Sequence, residues 1–319
     1  MSPPFLHSIA KKVFFVDPEM ISMNENLLKK LAKPLIIIAT LIWGSTFFIM
    51  KDTLDTVNLQ FLLAFRFTIA AVVLALVFWK RWKLVDRSYW WRGAVMGVFL
   101  YAAYTVQNLG LMKTTPGKNA FFTAVYCVLV PFLYWIVDRL RPDRYNVAAA
   151  VVCIIGIGFV SWDGGFSLGA GDVLTLVSGV LYACHIVATS KFTQGRDVFT
   201  LTVIQFGTTA VCCWVGTLLG NGLPTGGLPA AAWWSLIYLA VAATTLALLF
   251  QNIGQKYTNP SSAAVLLALE APFGVAFSVV FTEESPTAFM YFGFLLIFMA
   301  VLCSETKFSF LKRKKTGVN

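Results

Sequence analysis

Charge is the scarcest property of this sequence. Only 13% of its 319 residues are Asp, Glu, Lys or Arg, while 58% are hydrophobic and the mean hydropathy is +0.74. Soluble domains carry about 25% charged residues, so a soluble globular fold is excluded. The ten-residue alternating segments of a membrane β-barrel are missing too. HExxH and GxxxxGK[ST] do not occur; GxSxG occurs once, as Gly165-Phe166-Ser167-Leu168-Gly169 in the Gly-rich link between two spans, and His7 is too remote from His185, the only other histidine, to form a catalytic pair. An enzyme needs a clustered acid–base or metal site, and none is visible. The six cysteines (Cys127, Cys153, Cys184, Cys212, Cys213 and Cys303) fall inside apolar runs without a CxxC pair. They read as small buried hydrophobes, so neither metal nor cofactor is expected.

What the chain has in abundance is apolar runs of roughly 17–22 residues, each long enough to cross about 30 Å of hydrocarbon as a helix. Lipid forces the backbone to satisfy its own hydrogen bonds, so the runs must be helical. Ten spans are expected: 34–50, 60–79, 92–112, 118–137, 145–162, 171–191, 199–219, 231–255, 261–281 and 287–303. The fold class is an all-α polytopic membrane protein. Residues 1–33 read as a cytoplasmic tail without a signal-peptide core, and Met1, Met20 and Met23 all stand as starts; 304–319 read as a basic cytoplasmic tail.

The net charge of +10 does not indicate nucleic acid, because Lys and Arg sit in short loops and tails. With the N-terminus inside, 21 of the 25 fall on the inner side and three (Lys51, Lys113, Lys118) on the outer; the remaining one, Arg66, lies within a span. That asymmetry puts both termini in the cytoplasm of a multi-pass cell-membrane protein.

An internal repeat organises the spans. Gln107-Asn108-Leu109-Gly110 recurs 144 residues later as Gln251-Asn252-Ile253-Gly254. The same interval carries Trp90 to Trp234, Thr114 to Thr258, Pro116 to Pro260, Ala120 to Ala264 and Pro142 to Pro286. Earlier in the chain the interval is 139, taking Trp43-Gly44-Ser45 to Tyr182-Ala183-Cys184, Arg66 to Gln205 and Phe67 to Phe206. Each half (34–162 and 171–303) holds five spans, an odd number, so the halves are expected to insert with opposite topology. Inverted repeats of this kind are a signature of secondary transporters.

Trp43-Gly44-Ser45, Arg66 within Leu63-Ala64-Phe65-Arg66-Phe67, Thr114-Thr115-Pro116-Gly117-Lys118-Asn119-Ala120, and Leu267-Ala268-Leu269-Glu270-Ala271 followed by Phe281-Thr282-Glu283-Glu284 resemble the EamA-like domains of the drug/metabolite transporter superfamily. The resemblance covers 35–303, departing at Asp138, where Glu is usual, and at Gly156-Ile157-Gly158, which faces Ala300-Val301-Leu302 in the second half. It implies two five-helix bundles around a central cavity and export or uptake of a small molecule by alternating access. The family moves amino acids, purines, nucleotide sugars and amphipathic cations, so it names no substrate. A passive channel is the rival within the membrane class, a membrane-embedded enzyme the weaker one. Monomer and homodimer are both open.

Glu270 is the one acidic residue deep in a span. A carboxylate there costs a few kcal/mol or more, so it serves either proton coupling or cation recognition, or else is a neutral brace between helices. Arg66, the one deep cation, either binds a substrate carboxylate or phosphate or braces backbone carbonyls near Pro131 or Pro272, with Gln205 in the equivalent place. Helical spacing gathers Ser178, Tyr182, His185 and Thr189 on one face; Tyr101, Tyr104 and Asn108 on another; Asn119, Thr123 and Tyr126 on a third; and Thr244, Gln251 and Gln255 on a fourth. Each residue alone fits an interhelical hydrogen bond; four polar stripes together fit a hydrated or ligand-lined centre. Trp43 and Tyr182, at equivalent positions, either stack on a flat ligand or pack the interface. Pro131 and Pro272 are expected to kink the fourth and ninth spans, as hinges or as fixed bends.

Overall fold

In the computed structural model, residues 20–139, 141–160, 169–220, 222–224, 226–281 and 287–306 are described, and among them the runs fold as helices with no strand. The loop at Gly165, Trp162, Thr282 to Glu284, Pro286 and the tails 1–19 and 307–319 lie outside the described residues.

The first span is α1 (Met20–Gly44) and α2 (Thr46–Leu54), interrupted at Ser45. Next come α3 (Leu59–Val77), a 3₁₀ turn (Trp79–Leu84) and α4 (Arg87–Leu111). The fourth span is α5 (Pro116–Thr123) plus α6 (Tyr126–Asp138), and α7 (Arg144–Val160) closes the first half. The second half begins with α8 (Ala170–Phe192) and α9 (Val198–Leu219). Then α10 (Ala230–Tyr238) passes through a π-helical stretch (Leu239–Leu246) into α11 (Ala247–Tyr257). Last are α12 (Pro260–Leu267), α13 (Glu270–Phe281) and α14 (Ala288–Thr306). Among the described residues, eight helical stretches are long and apolar enough to cross a membrane, with two shorter apolar ones, Arg144–Gly156 and Ala288–Ala300.

Caps fix several helix starts. The side chains of Asn58, Asp86, Thr115 and Asp197 accept the first free N–H groups of α3, α4, α5 and α9. The first helix starts at Met20, well before the expected 34, and its Ala32 and Ile36 pack against α11. A Cβ on Gly254 would lie 2.7 Å from the Ala32 carbonyl, so only glycine lets the two helices meet this closely.

The halves interleave rather than stand apart. α1 packs on α11, α3 and α4 on α9, α4 and α6 on α8, and α7 on α14. Outward faces carry exposed apolar side chains such as Leu76, Ile136, Leu219 and Val280. Exposed Trp79, Trp82, Trp90 and Trp91 cluster at the α3–α4 connection, as amphipathic rings do where apolar helices leave lipid.

The interruptions of the fourth and ninth spans fall upstream of the prolines expected to cause them. They lie at Ala124–Val125 and Ala268–Leu269, which are 144 residues apart and therefore equivalent in the repeat. Bonds there reach three residues back instead of four: Cys127 N to Ala124 O at 3.0 Å, and Ala271 N to Ala268 O at 3.2 Å. Pro272 sits in the first turn of α13, where its missing N–H costs nothing and its ring excludes a bond to residue 268. Pro131 lies inside α6, past the break.

Candidate functional site

Where both broken spans meet α1, α3, α4, α8 and α11, the helices enclose a cavity with about 600 Å³ of non-atom space including its open side, of which about 50 Å³ admits the centre of a water molecule. Nine of the twelve residues singled out from the sequence line it: Trp43, Arg66, Tyr104, Asn108, Asn119, Tyr126, Tyr182, Gln251 and Glu270. Thr123, His185 and Gln205 do not. Thr123 bonds Gln107 and the Asn119 carbonyl beside the cavity, whereas His185 and Gln205 bond each other in a separate cluster.

A cation and an acid occupy the two ends of an aromatic arc. Arg66 lies with its guanidinium carbon 5.4 Å from the centre of the Tyr104 ring. Tyr104 meets Tyr182 edge to face at 5.7 Å, Tyr182 meets Tyr126 at 6.4 Å, and the Tyr126 hydroxyl donates to Glu270 Oε1 at 2.9 Å. Glu270 opens α13, where the helix dipole favours a negative group.

Arg66 is 2% exposed, and among the described residues it has no acidic partner. Its Nε donates to Thr244 Oγ1 at 2.8 Å and its Nη1 to Met50 Sδ at 3.1 Å. It therefore does not reach the carbonyls near Pro131 or Pro272 that a bracing role suggests. A buried cation without a counter-ion costs several kcal/mol unless water or an anion solvates it.

The π-helical stretch in the eighth span positions this end. Thr244 and Thr245 donate to the carbonyls five residues back, Leu239 and Ala240, each at 2.8 Å. Thr244 is thereby turned to Arg66, and the Ala243 carbonyl accepts from Trp43 Nε1 at 2.8 Å. The extra residue in the turn splits the stripe of Thr244, Gln251 and Gln255. Thr244 faces Arg66, Gln251 faces the cavity, and Gln255 is buried away from it.

Eight lining residues escape the stripe reasoning, among them Gln107, Thr46 and Met50. Gln107 accepts from the Tyr182 hydroxyl at 2.8 Å and donates to Thr123 Oγ1 at 3.0 Å, joining α4, α5 and α8. Its signal was its place in the repeated tetrapeptide, one position from Asn108. Asn119 donates to Thr175 Oγ1 at 2.7 Å, and its Oδ1 has no partner.

The two ends of the bundle are tied differently. Beside Met50 and Leu111 of the cavity wall, Lys51 Nζ donates to the carbonyls of Leu111 (2.8 Å) and Thr114 (3.2 Å). At the other end Lys256 Nζ donates to Arg196 O at 2.8 Å, Gln194 donates to Lys256 O at 3.2 Å, and Arg81 pairs with Asp197. No group of three or more His, Cys, Asp or Glu that could hold a metal occurs among the described residues.

A polytopic helical membrane protein with a polar, part-charged cavity at its centre is thus defined by fold and site together. Residues 31–162 and 169–306 match the EamA-like transporter family, and the chain belongs to that family. It is 30% identical over 285 residues to an uncharacterized transporter of Archaeoglobus fulgidus, covering 83% of this chain and 82% of that one. A second uncharacterized transporter of the same organism is 26% identical, covering 86% and 96%. The uncharacterized transporter YyaM of Bacillus subtilis is 23% identical, covering 82% and 89%. A solved crystal structure, 17% identical, superposes with a TM-score of 0.71 over 90% of this chain and 99% of that one, a likeness of fold alone.

Proposed function

We propose that this protein is a secondary transporter, an exporter or permease, that moves a small metabolite, amino acid or drug-like molecule across the cell membrane by alternating access. Ten spans form two inverted five-helix repeats with both termini cytoplasmic, and the substrate meets the protein in the central cavity without a cofactor. Family membership supports the transport class, and the skew of Lys and Arg supports the orientation.

The observation that carries the reading is the arc from Arg66 to Glu270. One side chain for an anionic group, three tyrosines for an apolar or flat body and one carboxyl group fit a small amphipathic solute with an anionic group.

The test is a thermal-shift screen of the purified protein against amino acids, nucleobases, organic anions and organic cations. A stabilising compound should carry an anionic group and lose its effect in Arg66→Gln. Stabilisation by cations alone, unchanged in that variant, would contradict the role given to Arg66.

A further inference from the structure

The repeat interval sorts the cavity wall into two kinds of residue. Five register pairs have both members in the cavity: Trp43 with Tyr182, Phe47 with Ile186, Tyr104 with Leu248, Gln107 with Gln251, and Tyr126 with Glu270. These are the central pairs. Of the other seven lining residues, Asn119 and Leu267 correspond to Ala263 and Thr123, which do not line the cavity, and Thr46, Met50, Arg66, Asn108 and Leu111 likewise have images that are not in it. At intervals of 139 and 144 the images of the last five are His185, Thr189, Gln205, Asn252 and Gln255.

All five images are fully buried, and His185, Thr189, Gln205 and Asn252 gather in one polar cluster. Gln205 Nε2 meets His185 Nε2 at 2.8 Å, and Thr189 Oγ1 lies 3.3 Å from the same nitrogen. Asn252 Nδ2 donates to Gln205 Oε1 at 3.0 Å and to Thr202 Oγ1 at 2.9 Å. Gln255 follows one turn after Asn252 on the same face. Since Gln205 uses its oxygen on Asn252, its amide nitrogen donates to His185, which leaves the His185 proton on Nδ1. Among the described residues, that Nδ1, Asn252 Oδ1 and both polar atoms of the Gln255 side chain have no partner. A cluster whose only task is to hold helices together pairs its polar atoms; four orphans indicate groups awaiting a ligand.

Position along the helices places the cluster at the opposite end of the bundle from Met50 and Leu111. His185 and Thr189 are in the last third of α8, Thr202 and Gln205 in the first third of α9, and Asn252 and Gln255 near the end of α11. Of the cavity lining, Met50 and Leu111 lie toward the ends of α2 and α4. Between cluster and exterior stand the Lys256–Arg196 and Gln194–Lys256 bonds.

We propose that the His185, Thr189, Gln205, Asn252 and Gln255 cluster is a second binding surface, the wall that water and the substrate's hydrogen-bonding groups meet when the molecule opens at the Lys256 end. This rests on the transporter reading. The exchange of Arg66 for Gln205 makes the second wall uncharged, so it takes neutral polar groups and holds an anionic group less tightly than the first.

The test compares two image residues, Met50→Cys and Thr189→Cys, each in the full chain with its native cysteines replaced, reconstituted in vesicles and exposed to a charged methanethiosulfonate on either side. Both should react, from opposite sides, and a bulky maleimide already attached at Met50→Cys in the double variant should slow Thr189→Cys labelling about tenfold or more, because only one wall is open at a time. A Thr189→Cys that stays inert from both sides while Met50→Cys reacts overturns the second wall and leaves the transporter reading standing. If Met50→Cys is inert as well, both fall. The native chain gives a parallel reading: diethyl pyrocarbonate should acylate His185, distinguished by peptide mass from His7, and a His185 that never reacts counts against the second wall.

Discussion

Tyr126 and Glu270, hydrogen-bonded at 2.9 Å, are 144 residues apart, the same interval that separates Gln107 from Gln251. Each opens the second helix of a broken span, α6 or α13. Residues exchanged by a twofold rotation can touch only beside its axis, so on the inverted-repeat reading this bond marks the axis. A group there faces the same cavity centre whichever side is open, which is where a coupling group has to be.

Glu270→Gln keeps size and hydrogen bonding to Tyr126 but cannot change charge. If transport is proton-driven, it should abolish uphill accumulation and its pH dependence while leaving exchange of substrate across the membrane largely intact. Uptake under an imposed pH gradient, beside exchange without one, separates the two. Unchanged uphill uptake with an unchanged pH response would make Glu270 a helix brace.

Arg66→Gln copies the second half's Gln205 into the first. Loss of a charge-assisted contact should weaken binding of an anionic solute by about 1.5–3 kcal/mol, roughly ten- to hundredfold. Because Arg66 has no acidic partner to strand, thermal stability should hold or rise. Calorimetry and a melting curve on the same sample check both; a large fall in Tm with unchanged affinity would make Arg66 structural.

A Cβ at Gly97 would lie 2.6 Å from the Gln205 carbonyl on α9, whereas one at Gly207 meets nothing within 4 Å. Gly97→Ala should therefore cost about 1–3 kcal/mol by forcing α4 and α9 apart. Gly207→Ala should be neutral or slightly stabilising. Equal melting temperatures for the two variants would contradict the packing described for α4 on α9.

The orientation rests on Lys and Arg counts alone. A cysteine at Lys118 should react with an impermeant thiol reagent from outside intact cells, and cysteines at exposed Arg87 and Arg141 should react only after permeabilisation. External labelling at 87 or 141 would invert the assignment.

Hydropathy made the apolar helices legible, because length and apolarity decide what crosses lipid, and the repeat made legible the two stretches that match the family. Two backbone features were hidden. The π-helical stretch leaves no compositional mark in Leu239 to Leu246, yet it alone turns Thr244 toward Arg66. The equivalent breaks at Ala124–Val125 and Ala268–Leu269 were masked by prolines one turn out of register, Pro131 and Pro272, which drew attention to the wrong residues. Periodicity found Tyr104, Asn108 and Tyr182 but separated His185 from them only once the structure showed which third of α8 each occupies. It missed Gln107, which the counted spacing left between stripes.

The central claim is that the cavity carries solute by changing the side to which it opens. Counterflow tests it most directly: vesicles containing the protein are loaded with the solute that stabilises it most, then diluted into a trace of the same solute in labelled form. The account predicts a transient rise of label inside above its final equilibrium level, abolished by blocking Met50→Cys with a bulky maleimide. Label that climbs smoothly to equilibrium without overshoot would mean an open channel and contradict it.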